Sequence, residues 1–249
     1  MAKELVSIIL PAFNSSKFIG STIESIRKQT YTDWELLITD DGSTDKTINV
    51  INKHQKEDSR IKLFILKVNS GAGVARNNSI KKANGKYIAF CDSDDLWVPH
   101  KLTKQIDFMK KNNLFFTYSS FEIIDENGVF ISTVTSPAHL TYKDLLKSNK
   151  IGCLTAIYDT HYLGKLYMSN IRNRQDWVLW LNILKKIKFT KGLKESLALY
   201  RKRKGSISRN KFKMISYHWF VYRQEMKINL YKSVVLLFQN IIYHIKRNG

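Results

Sequence analysis

Four short apolar runs, each closed by a polar turn and separated by stretches of helical spacing, confine the first hundred residues to very few folds. Val6 to Leu10 is a continuous apolar run closed by Pro11, which reads as a buried strand with a stop. Ala12-Phe13-Asn14-Ser15-Ser16 leads into a helix expected over 17–28, with Ile19, Ile23 and Ile26 on one face. Trp34 to Thr39 is a second strand and ends in the turn Asp40-Asp41-Gly42-Ser43-Thr44-Asp45, before a helix over 45–56. A third strand, 61–66, meets the loop Asn69-Ser70-Gly71-Ala72-Gly73, which opens a helix over 74–83 that Gly85 ends. The fourth run, Tyr87 to Cys91, stops at Asp92-Ser93-Asp94-Asp95. The connections are too long for hairpins, so the alternation predicts an α/β domain with a mostly parallel sheet covered by helices.

Ligands of such sheets sit beyond the carboxyl ends of the strands. Pro11, Asp41 and Asp92 fall at those ends on three different strands. Asp92, Asp94 and Asp95 repel one another unless a cation or hydrogen-bond donors stand among them, and Mg²⁺ and Mn²⁺ are the hard cations that suit oxygen ligands. Read alone, the same stretch is equally a turn whose carboxylate caps the next helix. Asp41 either accepts bonds from a nucleobase or ribose or merely shapes its turn. Pro11-Ala12-Phe13 can lay backbone along a base or simply end a strand. Arg76, a turn into its helix, is placed either to reach a diphosphate or to sit in solvent. The glycine-rich loop lacks the third glycine of the dinucleotide fingerprint, so that match is rejected.

After Pro99 a helix is expected to about residue 111. Strands over 115–124 and 129–134 then flank the turn Asp125-Glu126-Asn127-Gly128, and the pattern becomes α+β. A short helix over 141–148, a strand over 155–158, a helix over 172–186 and a last strand over 197–200 follow. The stripe Trp177, Trp180, Leu181 and Leu184 marks the buried side of the 172–186 helix, and Asp176 stands at its first turn, where the helix dipole favours a carboxylate. Residues 212–246 read as one or two aromatic helices.

Charge narrows the class of partner. Lys and Arg number 41 against 21 Asp and Glu, a formal +20 in 249 residues. From Lys185 onward there are seventeen basic residues against Glu195 and Glu225, so the anionic partner is expected at the tail. Nucleic acid is not that partner, because carboxylates at the ligand edge of the sheet would repel its phosphates. The apolar setting of Cys91 and Cys153 predicts reduced thiols and a cytoplasmic protein. Met1-Ala-Lys-Glu runs straight into a strand, so no leader is expected, and no apolar run approaches the ~20 residues that span a bilayer. The six histidines show no ligand spacing.

Five separated motifs carry a resemblance. Ser7-Ile-Ile-Leu-Pro-Ala-Phe-Asn14, Ser25-Ile-Arg-Lys-Gln-Thr-Tyr31, Trp34 through Asp45, Ser70-Gly-Ala-Gly-Val-Ala-Arg-Asn77 and Phe90-Cys-Asp-Ser-Asp-Asp-Leu-Trp97 closely resemble the family-2 glycosyltransferases over roughly the first 210 residues. Ile151-Gly-Cys153, Arg174-Gln-Asp-Trp177 and the stretch Leu199 to Ser208 resemble the branch that builds bacterial surface polysaccharides such as O antigen, capsule and teichuronic acid. Thr39 stands where an apolar residue is usual before the Asp pair.

The resemblance implies a GT-A fold: a Rossmann-like, mostly parallel sheet with a nucleotide-sugar half over 1–98, an α+β acceptor half over 99–210, and a basic aromatic helical tail over 211–249. It implies that Pro11, Ala12, Phe13, Asn14, Asp41, Gly71, Arg76, Asp92, Ser93 and Asp94 bind a nucleotide-sugar, with Asp41 on uracil. Asp92 and Asp94 match the Asp-x-Asp motif for ribose and a divalent metal, Mn²⁺ or Mg²⁺. Asp94 is the first choice of metal ligand and Asp95 the next. Asp176 matches the catalytic base. The implied reaction is inverting transfer from a UDP-sugar to a lipid-linked acceptor. Tyr200, Arg201 and the loop to Arg209 would close over the diphosphate or remain a solvated basic loop. The tail would rest on the anionic inner face of the cytoplasmic membrane or pack with its lysines in solvent. A nucleotidyltransferase would need a different phosphate loop near the first strand, and an inactive relative would lack acids that are intact here.

Overall fold

The computed structural model describes residues 4–203 and 211–248. Its ten-stranded sheet has the order β3-β2-β1-β4-β9-β6-β10-β5, with β7 (Phe130–Val134) beside β6 and β8 (His139–Thr141) beside β10. The first part is as the alternation predicts. β1 (Val6–Ala12) pairs in parallel with β2 (Trp34–Asp40) and β4 (Tyr87–Phe90), and β2 pairs in parallel with β3 (Ile61–Ile65). β9 (Ile157–Asp159) is antiparallel to β4 and to β6 (Phe116–Ile124), so β6 and its parallel neighbour β10 (Phe189–Arg201) run with the first four strands.

Pro11 does not stop β1. The strand continues to Ala12, with Pro11 paired to Thr39. β10 extends far beyond the expected 197–200: the buried positions of its first half are Thr190 and Gly192, which carry no apolar signal, and its register with β6 shifts between Leu193 and Ser196 and again before Leu199. The two-residue β5 (Leu96–Trp97) and β8 have no periodicity to detect.

Alternate strand residues face opposite layers. Ile8, Leu10, Leu36 and Ile38 meet α1 (Ile19–Arg27), α2 (Thr47–Glu57) and α4 (Lys101–Lys111). Ile9, Leu37 and Phe90 meet α3 (Ala72–Lys82), α5 (Tyr142–Lys147) and α7 (Gln175–Ile187) on the other side, with the four-residue α6 (Thr160–Leu163) after β9. The polar Thr39 inside β2 is satisfied: its Oγ1 lies 2.7 Å from Ser79 Oγ and accepts from Asn78 Nδ2 at 3.1 Å. Trp177 and Trp180 are fully buried, and truncating a core Trp to Ala costs about 3–5 kcal/mol.

α8 (Lys211–Phe220), a π-helical turn (Val221–Glu225) and α9 (Leu230–Asn248) complete the described chain. Val221, Tyr222, Met226 and Leu236 belong to the same core cluster as Trp177 and Phe90. Both cysteines are free thiols. Among the described residues no helix is long and apolar enough to cross a membrane.

Candidate active site

β1, β2 and β4 end on one edge of the sheet, and so does β10. Beyond β4 the chain turns sharply, with the Asp95 N–H donating to Asp92 O at 3.1 Å. The turn sends its three carboxylates in different directions. Asp92 Oδ1 accepts from Arg76 Nη2 at 2.5 Å, and Asp94 Oδ2 lies 2.6 Å from Arg203 Nε. Asp95 is 1% exposed, and its Oδ1 accepts the Arg201 N–H at 2.9 Å. Arg201 itself donates to Asp94 O and to the carbonyls of Asp125 and Glu126, so the end of β10 is bound to this turn and to the β6–β7 hairpin. Ser93 contributes its carbonyl to Thr22 Oγ1 at 3.1 Å.

Burial raises the Asp94 carboxyl above the usual range, and the charge of Asp92 adds to it. Burial raises Asp95 well above the usual range, with Asp94 and Asp92 adding. A cation beside Asp92 and Asp94 relieves this repulsion, and the guanidinium of Arg203 already stands at Asp94. Asp92 and Asp94 are hard oxygen donors of the kind a divalent ion takes, whereas Asp95 is 1% exposed and holds backbone.

At the end of β2, Asp41 is 3% exposed and accepts the N–H groups of Ser70 at 2.8 Å and Gly71 at 2.7 Å. It thereby fixes the loop that opens α3, where Gly71 takes φ 94°, a conformation that favours glycine. Asn14 ties two turns together: its N–H donates to Ser43 Oγ and its Oδ1 accepts the Thr44 N–H, both at 2.9 Å. Pro11 and Ala12 are buried in β1, and Phe13 is 44% exposed at the rim.

Arg76 is not a solvated arginine. It is 8% exposed, and its two terminal nitrogens reach Asp92 and Gln175 Oε1, the latter at 3.3 Å. α7 begins at Gln175, three residues later than expected, because Arg174 adopts φ 67° and cannot continue a helix backwards. Asp176 is therefore the second residue of α7, and its Oδ2 accepts from Asn149 Nδ2 at 3.1 Å. A cavity of about 180 Å³ opens between the Asn69–Val74 loop and Ser169–Arg172, with Gln175 in its wall.

The edge thus brings together the loop held by Asp41, the Asp92–Asp95 turn, Arg76 and the start of α7. Gln175 and Arg203 lie inside stretches the sequence singled out, without a role of their own there, and Asn149 lies outside them all. Asn149 lies 27 residues from Asp176 and in no motif, so only the fold reveals the pair. Arg203 closes the described part of the basic loop; residues 204–209 of that loop lie outside the described residues. Among the described residues, the one set of three His, Cys, Asp or Glu ligand atoms within 4.8 Å of one another is Glu24, His54 and Glu57. It lies on α1 and α2, away from the strand ends, and Arg27 bonds both of its glutamates.

Known proteins share this fold. The structure superimposes on S. aureus TarS 1-349 in complex with UDP-GlcNAc with a TM-score of 0.72 at 19% identity, covering 97% of this chain and 72% of that one. In sequence the chain is 41% identical over 232 residues to TuaG of Bacillus subtilis (strain 168), named for teichuronic acid biosynthesis, covering 93% of this chain and 92% of TuaG. It is 39% identical over 246 residues to WfgD of Escherichia coli, named a UDP-Glc:alpha-D-GlcNAc-diphosphoundecaprenol beta-1,3-glucosyltransferase, covering 98% and 95%. Residues 7–163 match Glycosyl transferase family 2. The chain belongs to that family and is a glycosyltransferase with the GT-A fold.

Proposed function

We propose that this glycosyltransferase is inverting and metal-dependent, and moves a hexose-type sugar from a UDP-sugar to a hydroxyl of a growing, lipid-linked surface glycan. The observation that carries the reading is the division of carboxylates at one sheet edge: Asp92 and Asp94 on the β4 turn, Asp176 apart from them on α7, and Arg76 between. Relatives named for UDP-sugars and for a diphosphoundecaprenol acceptor support the two substrates.

In this reading the backbone of Pro11-Ala12-Phe13 lies along the base and Asp41 receives it, while the Gly71 loop and Arg76 face the diphosphate. Asp176 takes the proton of the acceptor hydroxyl as its oxygen attacks the anomeric carbon; the bond from that carbon to the diphosphate oxygen breaks, and UDP leaves from the opposite face with the electron pair. General-base help of this kind contributes about 10²–10⁴ in rate. Asp94 and Asp92 would hold a divalent ion, whose charge would offset that growing on the leaving diphosphate.

The deciding experiment is calorimetry of UDP with Mn²⁺ and with EDTA, on the parent and on Asp94→Ala. Binding that needs Mn²⁺ and disappears in Asp94→Ala is expected. Absence of UDP binding under both conditions overturns the UDP-donor reading. A screen of UDP-glucose, UDP-galactose and UDP-GlcNAc then identifies the sugar.

The C-terminal helix supports a peripheral position on the anionic inner face of the cytoplasmic membrane. Tyr231, Val234, Val235, Phe238 and Ile242 form an exposed apolar stripe at helical spacing, with Lys227 and Lys232 nearby and no acid from Met226 to the end. Co-sedimentation with phosphatidylglycerol vesicles but not with phosphatidylcholine vesicles is the expected result, and equal recovery with both removes the electrostatic part of the reading.

A further inference from the structure

α5 is six residues long, too short to persist by itself, yet it ends two residues before the one that touches Asp176. Its amino end is closed by a capping box between Thr141 and Asp144. Its last three carbonyls have no partner within the helix, and each receives a side-chain donor from another element. Trp177 Nε1, next to Asp176 on α7, donates to Leu145 O at 2.8 Å. Tyr222 OH, from the π-helical turn, donates to Leu146 O at 2.8 Å. Asn240 Nδ2, from α9, donates to Lys147 O at 2.7 Å.

Two residues on, Asn149 is fixed at both ends of its amide. Its Oδ1 accepts the Ile151 N–H at 3.2 Å, which leaves Nδ2 as the group facing Asp176 Oδ2 at 3.1 Å. The assignment of O and N therefore follows from the bonding partners. The start of α7 and the end of α5 are stapled twice, once through Trp177 and once through Asn149.

We propose that Asn149 is a positioning residue for the Asp176 carboxylate, and that the C-terminal helices hold Asn149 in place by clamping α5 through Tyr222 and Asn240. The inference rests on Asp176 being the base. A carboxylate free to rotate spends most of its time away from the attacking hydroxyl, and a misplacement of about 1 Å costs on the order of 10²-fold in rate. The tail thus acts on the reaction as well as on the fold.

Asn149→Asp separates positioning from structure. The variant has the same shape and keeps an acceptor for the Ile151 N–H, but it replaces the donor facing Asp176 with a like charge. The assay is release of UDP from whichever of UDP-glucose, UDP-galactose and UDP-GlcNAc the parent turns over fastest, with Mn²⁺ and water as acceptor. We expect kcat to fall about 10–100-fold, with the donor KM, the Kd for UDP and the Tm close to those of the parent. Asn240→Ala should lower kcat in the same pattern by a smaller factor. A kcat for Asn149→Asp within about twofold of the parent overturns the inference, as does a loss confined to KM or accompanied by unfolding. Asp176→Asn is the reference: if it abolishes turnover while Asn149→Asp does not lower it, the positioning role alone fails; if Asp176→Asn itself keeps full turnover, the base assignment fails and the inference with it.

Discussion

Arg76 Nη2 lies 2.5 Å from Asp92 Oδ1, and this ion pair couples the turn after β4 to the start of α7, because the same guanidinium reaches Gln175. Burial is the largest influence and opposes the charge on Arg76, but Asp92, Cys153 and Asp176 together outweigh it, so the guanidinium stays ionised. A fork with two ends is needed to span two partners, and a lysine has one. Arg76→Lys is expected to weaken UDP binding at least about tenfold while the protein still folds. Arg76→Ala leaves Asp92 without its cation, but the Asp92 side chain is 32% exposed and partly solvated, so the expected cost is about 1–3 kcal/mol. Calorimetry and urea unfolding check the pair, and an unchanged Kd for UDP in Arg76→Lys removes Arg76 from the donor site.

Gly73 occupies the first turn of α3, where a Cβ would stand 2.8 Å from Gln175 Cδ. Gln175 is 6% exposed and bonded to Arg76 and to Arg172 O, so it does not swing aside freely. In an open helix Ala exceeds Gly by about 1 kcal/mol. The two effects oppose each other, and crowding is expected to win in the parent: Gly73→Ala destabilises by about 1–2 kcal/mol. In a Gln175→Ala background the sign reverses and Gly73→Ala stabilises by up to about 1 kcal/mol. A double-mutant cycle in urea reads the sign, and the same sign in both backgrounds contradicts the contact.

Much of this site is legible in the sequence, and the limit has a physical form. Asp41, Asp92 and Asp94 are found because strands end where periodicity ends, and residues at those ends share an edge whatever their distance along the chain. Asp176 is found as a first-turn carboxylate with a family match. Gln175 and Asn149 act through single side-chain contacts between elements 99 and 27 residues apart, and no periodic signal records such a contact. β10 is only partly legible for a different reason: the buried positions of its first half are Thr190 and Gly192, so the apolar alternation by which strands are recognised is absent there.

Asp41 holds two adjacent N–H groups, those of Ser70 and Gly71, with its two carboxylate oxygens. Asp41→Asn keeps one acceptor oxygen and turns an amide donor toward the other N–H, whereas Asp41→Ala leaves both N–H groups without an acceptor. Ser70 is exposed and Gly71 half-buried, so water replaces part of what is lost and each bond is worth about 0.5–1.5 kcal/mol. The expected order of UDP affinity is parent, then Asp41→Asn, then Asp41→Ala, with global stability lowered in the same order. Equal affinity in all three would show that the loop does not depend on this carboxylate.

Lys101, the first residue of α4, is fully buried. Its Nζ donates to Gln105 Oε1 at 2.6 Å and sits 4.1 Å from the Trp97 ring centroid. Gln105 and Trp97 in turn donate to the carbonyls of Thr155 and Leu154. Burial lowers the ammonium from an ordinary 10.5 to about 7, with Cys91 a lesser influence in the opposite direction. Between these two values the unfolded chain holds a proton that the folded chain has released, so stability rises with pH across that window, by at most about 1.4 kcal/mol per unit. Below pH 7 both states are protonated and the cost of the buried charge is fully present. Lys101→Met removes that cost. The variant is expected to be more stable than the parent at pH 7, and its advantage to shrink steadily toward pH 10. Urea unfolding of both proteins at pH 7, 8, 9 and 10 tests this, and a stability difference that does not change with pH would show that Lys101 titrates alike in the folded and unfolded chains.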